Sequence, residues 1–371
     1  MVEPSKKCDK DMYVELLSKN TNDCIEWDAF LRKTTGGTIF HTLKWKKAIE
    51  ESYSTEAIYL VVRNKKGILV GVCPGFIWNS GPMKSFISLP YSDYGGPVLD
   101  RNYARKASNL LLLFIRNYCS DKRISTAKFC STSDRVMNYF NSLNVYLDST
   151  SGVMELDLGV FPSDLIWKKI FTRTVRKKIR RMKRELVIRK ATKKADLVEF
   201  YKLYCTNLRY IQALPPPFRF FEYLWEQLYP ENFTIFLLEK EKPIACTAFF
   251  KFGEKIYETY LGIDRTFSDI RRYSVAPYLS WELMRFCEDN GYRYYSQGKT
   301  PSNPNDLYHI QKASSGFSFI QQYDIDFPLN SRGLFFLTAK KNIKTTWWGM
   351  SNFLPRYLKR VVRKNVDFVL D

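Results

Sequence analysis

Residues 58–78 read IYLVVRNKKGILVGVCPGFIW and residues 235–252 read IFLLEKEKPIACTAFFKF. Each stretch is an apolar strand, a short charged turn and a second strand rich in small and β-branched residues, the pattern of a β-hairpin. What surrounds them also corresponds. The first hairpin is preceded by helical stretches at Cys24–Arg32 and Leu43–Ser52, and followed by a strand at Ser85–Leu89, a Gly/Pro-rich loop, a helix at Tyr103–Tyr118 and a strand at Ser125–Phe129. The second is preceded by Ala195–Tyr210 and Phe218–Leu228, and followed by a strand at Ile256–Gly262, a polar loop, a helix at Val275–Asn290 and a strand at Tyr292–Ser296. Such an order makes an α/β unit with a mixed sheet, and finding it twice argues for duplication. The expected organisation is residues 1–160 as one unit, 161–194 as a basic linker helix, 195–329 as a second unit and 330–371 as a tail.

A chain of 371 residues is long enough for two such units, each with its own core. Its net charge of +20 is localised. Lys168–Lys194 carries 14 Lys/Arg against the single acid Glu185, and residues 330–371 carry nine against Asp367 and Asp371, so these two segments hold the whole excess. A localised patch of this kind implies a polyanionic partner. The eight cysteines show neither CxxC spacing nor close pairing, and only His41 and His309 are available beside them. Neither a metal site nor a Cys/His nucleophile is expected. The N-terminus MVEPSKKCDKDMYVELL lacks the apolar core of a signal peptide, and the longest apolar run, Leu110–Ile115, is too short to span a bilayer. The expectation is a cytoplasmic, monomeric protein, with contact to the inner membrane face left open.

Four stretches, in order, carry a family resemblance: LPYSDYGGPVLD at 89–100, RTVRKKIRRMKRELVIRKA at 173–191, TNLRYIQALPPPFRFF at 206–221 and YSQGKTPSNPNDLYHIQKASSGF at 295–317. Together they resemble the FemAB-like branch of the GNAT superfamily, with its BioF2-like relatives. The resemblance implies an α/β fold of two tandem GNAT-like domains with mixed sheets, to which the tail adds a C-terminal basic amphipathic helix. It also implies an acyl- or aminoacyl-transferase in which an amine attacks an activated carbonyl directly. The acceptor would be an amine, nucleotide- or lipid-linked, and the co-substrate aminoacyl-tRNA or acyl-CoA, with no cofactor tightly bound. Two positions depart from the family: Gln311 stands where it has phenylalanine, and Ser296 or Gln297 where it has aspartate.

The resemblance assigns Lys312 to the developing oxyanion or the donor phosphate, where a charged donor contributes most. Arg209 falls where the family binds an acceptor phosphate, and a guanidinium fork suits that geometry. Tyr308 lies in the loop that leads to Lys312 and would contact substrate. Asp100, after GGPV, is the candidate to orient or deprotonate the amine, which must be neutral to attack; the same residue also reads as a turn aspartate. The stretch RTFSDIRRYSVAPYLSW has no glycine to bring backbone N–H groups to a pyrophosphate, so Arg271 and Arg272 are the candidates for holding donor phosphates.

In the basic run, Ile170, Val175, Ile179, Met182 and Leu186 mark a thin apolar stripe among cations. Lys177, Lys178, Arg180, Arg181, Lys183 and Arg184 would then face a polyanion such as tRNA. In the tail, Leu354, Tyr357, Leu358, Val361, Val362, Val366 and Val369 recur at helical spacing beside Trp347 and Trp348, with Arg356, Lys359, Arg360, Arg363 and Lys364 on the other side, a pattern suited to an anionic membrane surface or to docking on the protein itself. Two other readings stand beside aminoacyl transfer: a CoA-dependent N-acetyltransferase of a small amine, and a non-catalytic RNA-binding protein on the same scaffold.

Overall fold

Both hairpins form, and each seeds a sheet. A computed structural model of the chain describes residues 7–9, 11–18, 20–80, 83–132 and 146–339. Its first half runs β1 (Lys7–Asp9), β2 (Met12–Leu16), α1 (Thr21–Lys33), α2 (Leu43–Tyr53), β3 (Glu56–Asn64), β4 (Leu69–Ser80), β5 (Met83–Ile87), β6 (Val98–Leu99), α3 (Ala104–Asp121), β7 (Thr126–Ser131), β8 (Tyr146–Asp148) and β9 (Ser151–Asp157). The second runs α4 (Arg173–Glu185), β10 (Val187–Lys190), α5 (Lys194–Tyr210), α6 (Phe218–Leu228), β11 (Phe233–Glu239), β12 (Pro243–Phe252), β13 (Lys255–Ile263), α7 (Val275–Asp289), β14 (Tyr294–Pro301), α8 (Leu307–Ala313), β15 (Ser318–Gln321) and β16 (Tyr323–Pro328). The basic amphipathic tail helix expected from Trp347 onward lies outside the described residues.

The sheets repeat one plan. The first has the order β1-β2-β3-β4-β5-β7-β16-β8 with β6 beside β4, and the second the order β10-β11-β12-β13-β14-β9-β15. In each, a hairpin (β3–β4, β11–β12) pairs with a third antiparallel strand (β5, β13), which pairs in parallel with the strand after the crossover helix (β7, β14). Parallel pairing demands such a crossover, which is why α3 and α7 intervene. The neighbour that follows comes from the opposite half in both cases: β16 pairs with β7, and β9 pairs with β14.

Local chemistry sets the helix ends. Asn20 caps α1 by accepting from the Asp23 N–H at 2.7 Å, and Thr172 caps α4 by accepting from the Val175 N–H at 3.2 Å; such caps contribute about 1 kcal/mol each. The basic run is not one helix: Lys168 and Lys169 lie in a π-helical turn at Ile166–Ile170, Arg173–Glu185 forms α4, and Lys194 opens α5. Val187–Lys190 leaves the helix because this β-branched stretch pairs with β11.

One apolar core spans the two halves. Trp45 on α2 meets Phe220 on α6 at 5.7 Å and Phe250 on β12 at 5.3 Å, and Phe40 meets Tyr257 on β13 at 5.6 Å. Trp45, Phe220 and Phe250 are fully buried, so truncating any one would cost about 3–5 kcal/mol. That shared core fixes how the halves face each other and therefore the geometry of the seam between them.

Candidate active site at the fork of the second sheet

In each sheet the parallel pair separates after three residues. In the first, β5 and β7 pair from Ser85↔Thr126 to Ile87↔Lys128. The chain's own loop then fills the gap: the Gly96 N–H donates to Ser88 Oγ at 3.0 Å, and a Cβ built at Gly96 would lie 3.1 Å from the Cys130 carbonyl oxygen. Gly96 has φ +83, so glycine is what allows this close approach. His41 closes the plug from the other side, its Nε2 lying 3.3 Å from the Gly96 carbonyl. Buried and neutral there, its imidazole is pushed down to about 4 by desolvation.

The second fork is lined differently. β13 and β14 pair from Lys255↔Tyr294 to Tyr257↔Ser296 and then part. Polar side chains face each other across the opening. Gln297 Nε2 donates to Glu258 Oε2 at 3.1 Å and to Ser280 Oγ of α7, while the Tyr295 hydroxyl donates to Glu258 and Thr247 Oγ1 donates to Glu258 Oε1 at 2.7 Å. β14 carries a bulge between Ser296 and Lys299, and bulges re-aim side chains beside functional sites. Gly298 sits within it at φ +66.

Lys312 and Asp93 meet at this bulge from opposite halves of the chain. Lys312, expected in a polar loop, is instead on the short helix α8, whose cap Asp306 accepts from the Tyr308 N–H at 2.8 Å. Its ammonium donates to the Gln297 carbonyl at 2.6 Å, to Thr300 Oγ1 at 2.7 Å and to the Lys299 carbonyl at 3.4 Å. Desolvation lowers its pKa, while Asp93 and Glu258 act to raise it. Asp93 comes from the loop between β5 and β6. Its carboxylate lies against Gly298 and faces Lys312 and the Lys299 backbone N–H; desolvation raises its pKa above the usual carboxylate value despite these partners. The Asp93 carbonyl accepts from Gln322, and the next residue, Tyr94, places its hydroxyl 2.8 Å from Ser296 Oγ.

The other expected residues stand apart from this pair. Asp100 accepts from the Asn102 N–H at 2.8 Å, and its carbonyl accepts from Tyr103, a turn ahead of α3. Tyr308 is exposed on α8. Arg209 is exposed on the last turn of α5, near Tyr201. Arg272 pairs with Asp269 at 3.0 Å in the turn before α7, and the Arg271 side chain lies outside the described part. Sequence patterning does not single out Asp93, Glu258 or Ser280. For Asp93 the signal lies in LPYSDYGGPVLD, seven residues before Asp100.

The basic helix α4 is partly tied down. Arg180 lies over Trp167 at 5.6 Å, Lys183 over Trp281 of α7 at 4.4 Å and beside Glu282 at 3.3 Å, and Arg181 pairs with Glu185 at 2.7 Å and sits over Tyr273. Lys177 and Arg184 are exposed and Lys178 half-exposed, with no carboxylate partner among the described residues. Among those residues no cluster of His, Cys, Asp or Glu is placed to hold a metal ion, and no helix is long and apolar enough to cross a membrane.

Comparison with known proteins bears on this half in particular. The acetyltransferase (GNAT) domain family matches residues 170–304, the stretch that builds most of the second sheet and its fork. Among solved structures, FemX superposes with a TM-score of 0.65 at 13% identity, over 84% of this chain and 96% of that one. A tandem GNAT protein from the clavulanic acid biosynthesis pathway gives 0.58 at 8% identity, over 86% and 99%. The C-terminal domain of a putative lysylphosphatidylglycerol synthetase from Agrobacterium fabrum gives 0.55 at 12% identity, over 85% and 94%. At such identities the likeness is one of fold. No curated protein sequence matches the chain.

Proposed function

We propose that this chain, which carries an acetyltransferase (GNAT) domain over residues 170–304 and a tandem fold like that of FemX, is an acyltransferase that forms an amide by direct attack of an acceptor amine on an activated acyl carbonyl held in the second fork. The observation that carries this reading is the asymmetry of the two forks. The first is filled by the chain's own Gly-Gly-Pro turn, whereas the second is lined by Glu258, Gln297 and Ser280, with Asp93 and Lys312 beside it.

The roles follow from charge. An amine arrives as an ammonium and must lose a proton before it attacks. Asp93 is the carboxylate at the fork from the other half of the chain, and it accepts that proton. The nitrogen then forms the C–N bond, the carbonyl oxygen takes negative charge, and the bond to the leaving sulfur or oxygen breaks. The second amine proton goes to the leaving group, and Asp93 returns its own to solvent. Lys312 supports the step as a desolvated positive charge near the developing oxyanion and as the clamp on the Gly298 bulge.

The donor is a phosphate-bearing acyl carrier, acyl-CoA or aminoacyl-tRNA. Support comes from the cations near the start of α7 and along α4, among them Arg272, Lys177 and Arg184. The same basic surface supports contact with tRNA or an anionic membrane by a monomeric, cytoplasmic protein.

The test offers the purified protein acetyl-CoA with a mixture of amines, following thiol release, and separately aminoacyl-tRNA, following deacylation. One donor should be consumed only when amine is present, and Gln297→Trp, which fills the fork, should stop it in a folded protein. If neither donor is consumed and calorimetry detects binding of neither, the reading is lost.

A further inference from the structure

Beside Asp93, on the face of the second sheet turned toward the first half, the seam holds tyrosine hydroxyls that the chain leaves unsatisfied. The Tyr260 hydroxyl of β13 is buried without a hydrogen-bond partner, and Tyr53 at the end of α2 has none of normal geometry, only the neighbouring Tyr91 phenol within reach. The two belong to different halves and are joined through a chain of rings: Tyr53 to Phe220 at 5.9 Å, Phe220 to Phe221 at 5.4 Å, and Phe221 to Tyr260 at 5.0 Å. Tyr204 of α5 packs edge-on to Tyr260 at 5.5 Å. Tyr260 lies within electrostatic reach of Tyr204, Asp93 and Tyr53 together. At the rim, Tyr91 is 45% exposed, stacks on Tyr53 at 4.4 Å and meets Trp78 at 5.7 Å.

A buried hydroxyl without a partner costs about 1–3 kcal/mol, and of the ten such side-chain atoms among the described residues, those of Tyr53 and Tyr260 face one seam between the halves. An apolar amine would leave both unsatisfied. A purely cationic one would use Asp93 and the ring faces and still leave the hydroxyl protons unmatched. What meets the whole set is an ammonium that carries neighbouring hydroxyl oxygens on a compact body, with an apolar face to lie on Trp78 and Tyr91.

We propose that the acceptor is a hydroxyl-bearing primary amine of the amino-sugar class, its ammonium on Asp93 and its hydroxyls on Tyr53, Tyr204 and Tyr260. This deepens the acyltransferase reading and rests on it for the site but not for the binding. The hydroxyls select the acceptor, and Asp93 receives its proton.

The test uses the full chain and the probes glucosamine, hexylamine and spermidine. Saturation-transfer NMR with no donor present should show glucosamine bound, and Tyr53→Phe and Tyr260→Phe should each weaken it by about 10-fold, the scale of one to two hydrogen bonds. Thermal melts of these variants should stay level or rise, because each removes an unsatisfied buried hydroxyl. With donor present, glucosamine should exceed hexylamine in kcat/KM, and the Phe variants should erase that preference. Equal use of hexylamine or spermidine, or Phe variants that bind glucosamine as wild type does, overturns the proposal while acyl transfer stands. Tyr-dependent glucosamine binding with no donor consumed upholds the acceptor site and removes acyl transfer.

Discussion

The Asp93 carboxylate rests on the α-carbon of Gly298: a Cβ added there would come within 2.5 Å of Asp93 Oδ2. Two halves of the chain thus touch through an aspartate and a glycine, and the contact exists because Gly298 carries no side chain and sits at φ +66.

Gly298→Ala should therefore displace Asp93. We expect transfer to fall by about 10- to 100-fold, the scale of a roughly 1 Å misplacement, with a modest drop in melting temperature. Gly253→Ala is the control, since Gly253 has φ +56 with nothing within 4 Å of a built Cβ. It should share the backbone strain and keep the activity. Equal loss in both variants would mean that strain, not the Asp93 contact, is what matters.

Asp93 gives a signed pH dependence. The charged and titratable groups facing it are Lys312 of α8, Lys299 of β14, Tyr94 beside it, Tyr204 of α5 and Tyr260 of β13. Burial raises its pKa more than the lysines lower it, so the acidic limb of kcat/KM should lie above the ordinary aspartate range. Asp93→Asn should abolish that limb and slow transfer by about 100-fold or more. The stability sign is opposite to that of a salt-bridged carboxylate. Protonation favours the folded form, so this group's contribution falls as pH rises from the ordinary aspartate value through its folded value. Asp93→Asn should then melt no lower than wild type at neutral pH.

Lys312→Met removes both a charge and a clamp. Single-turnover transfer should fall by about 100-fold, and the acidic limb assigned to Asp93 should move to higher pH because the cation that most lowers its pKa is gone. Lys312→Arg should recover only part, since a guanidinium cannot reach the Gln297 carbonyl and Thr300 with the same geometry. Lost stability with unchanged rate and pH profile would reduce Lys312 to a structural residue.

On α4 the free cations separate from the engaged ones. Reversing Lys177, Lys178 and Arg184 to Glu should weaken tRNA binding and flatten its salt dependence by about three phosphate contacts, with the melt unchanged. Reversing Arg180, Arg181 and Lys183 should cost stability instead, through lost contacts with Trp167, Tyr273 and Glu282. Salt-independent tRNA binding that ignores the first set would leave α4 as a docked structural helix.

Elements whose signal is local were legible in the sequence. The hairpins at 58–78 and 235–252, α2, α6 and α7 follow from apolar periodicity and turn residues. β9 and β16 were not, because a short strand is recognised by what it pairs with, and each pairs with a strand of the other half. The site divided in the same way. Lys312 was reached through a motif, while Asp93 looked like any polar loop residue until the fold carried it across to Gly298. Asp100 had the more conspicuous position, yet its own turn uses it.

The reciprocal placement of β9 and β16 bears on how the molecule is made. During synthesis the edge of β7 has no mate until residue 328 has left the ribosome, whereas β9 waits for β14 to be translated. Neither half can be completed first and then released to serve as a finished platform for the other. Severing the backbone anywhere between these strands would leave two fragments that still need one another to close their sheets, so a protease nick in the folded protein should yield a paired complex and not two independent domains.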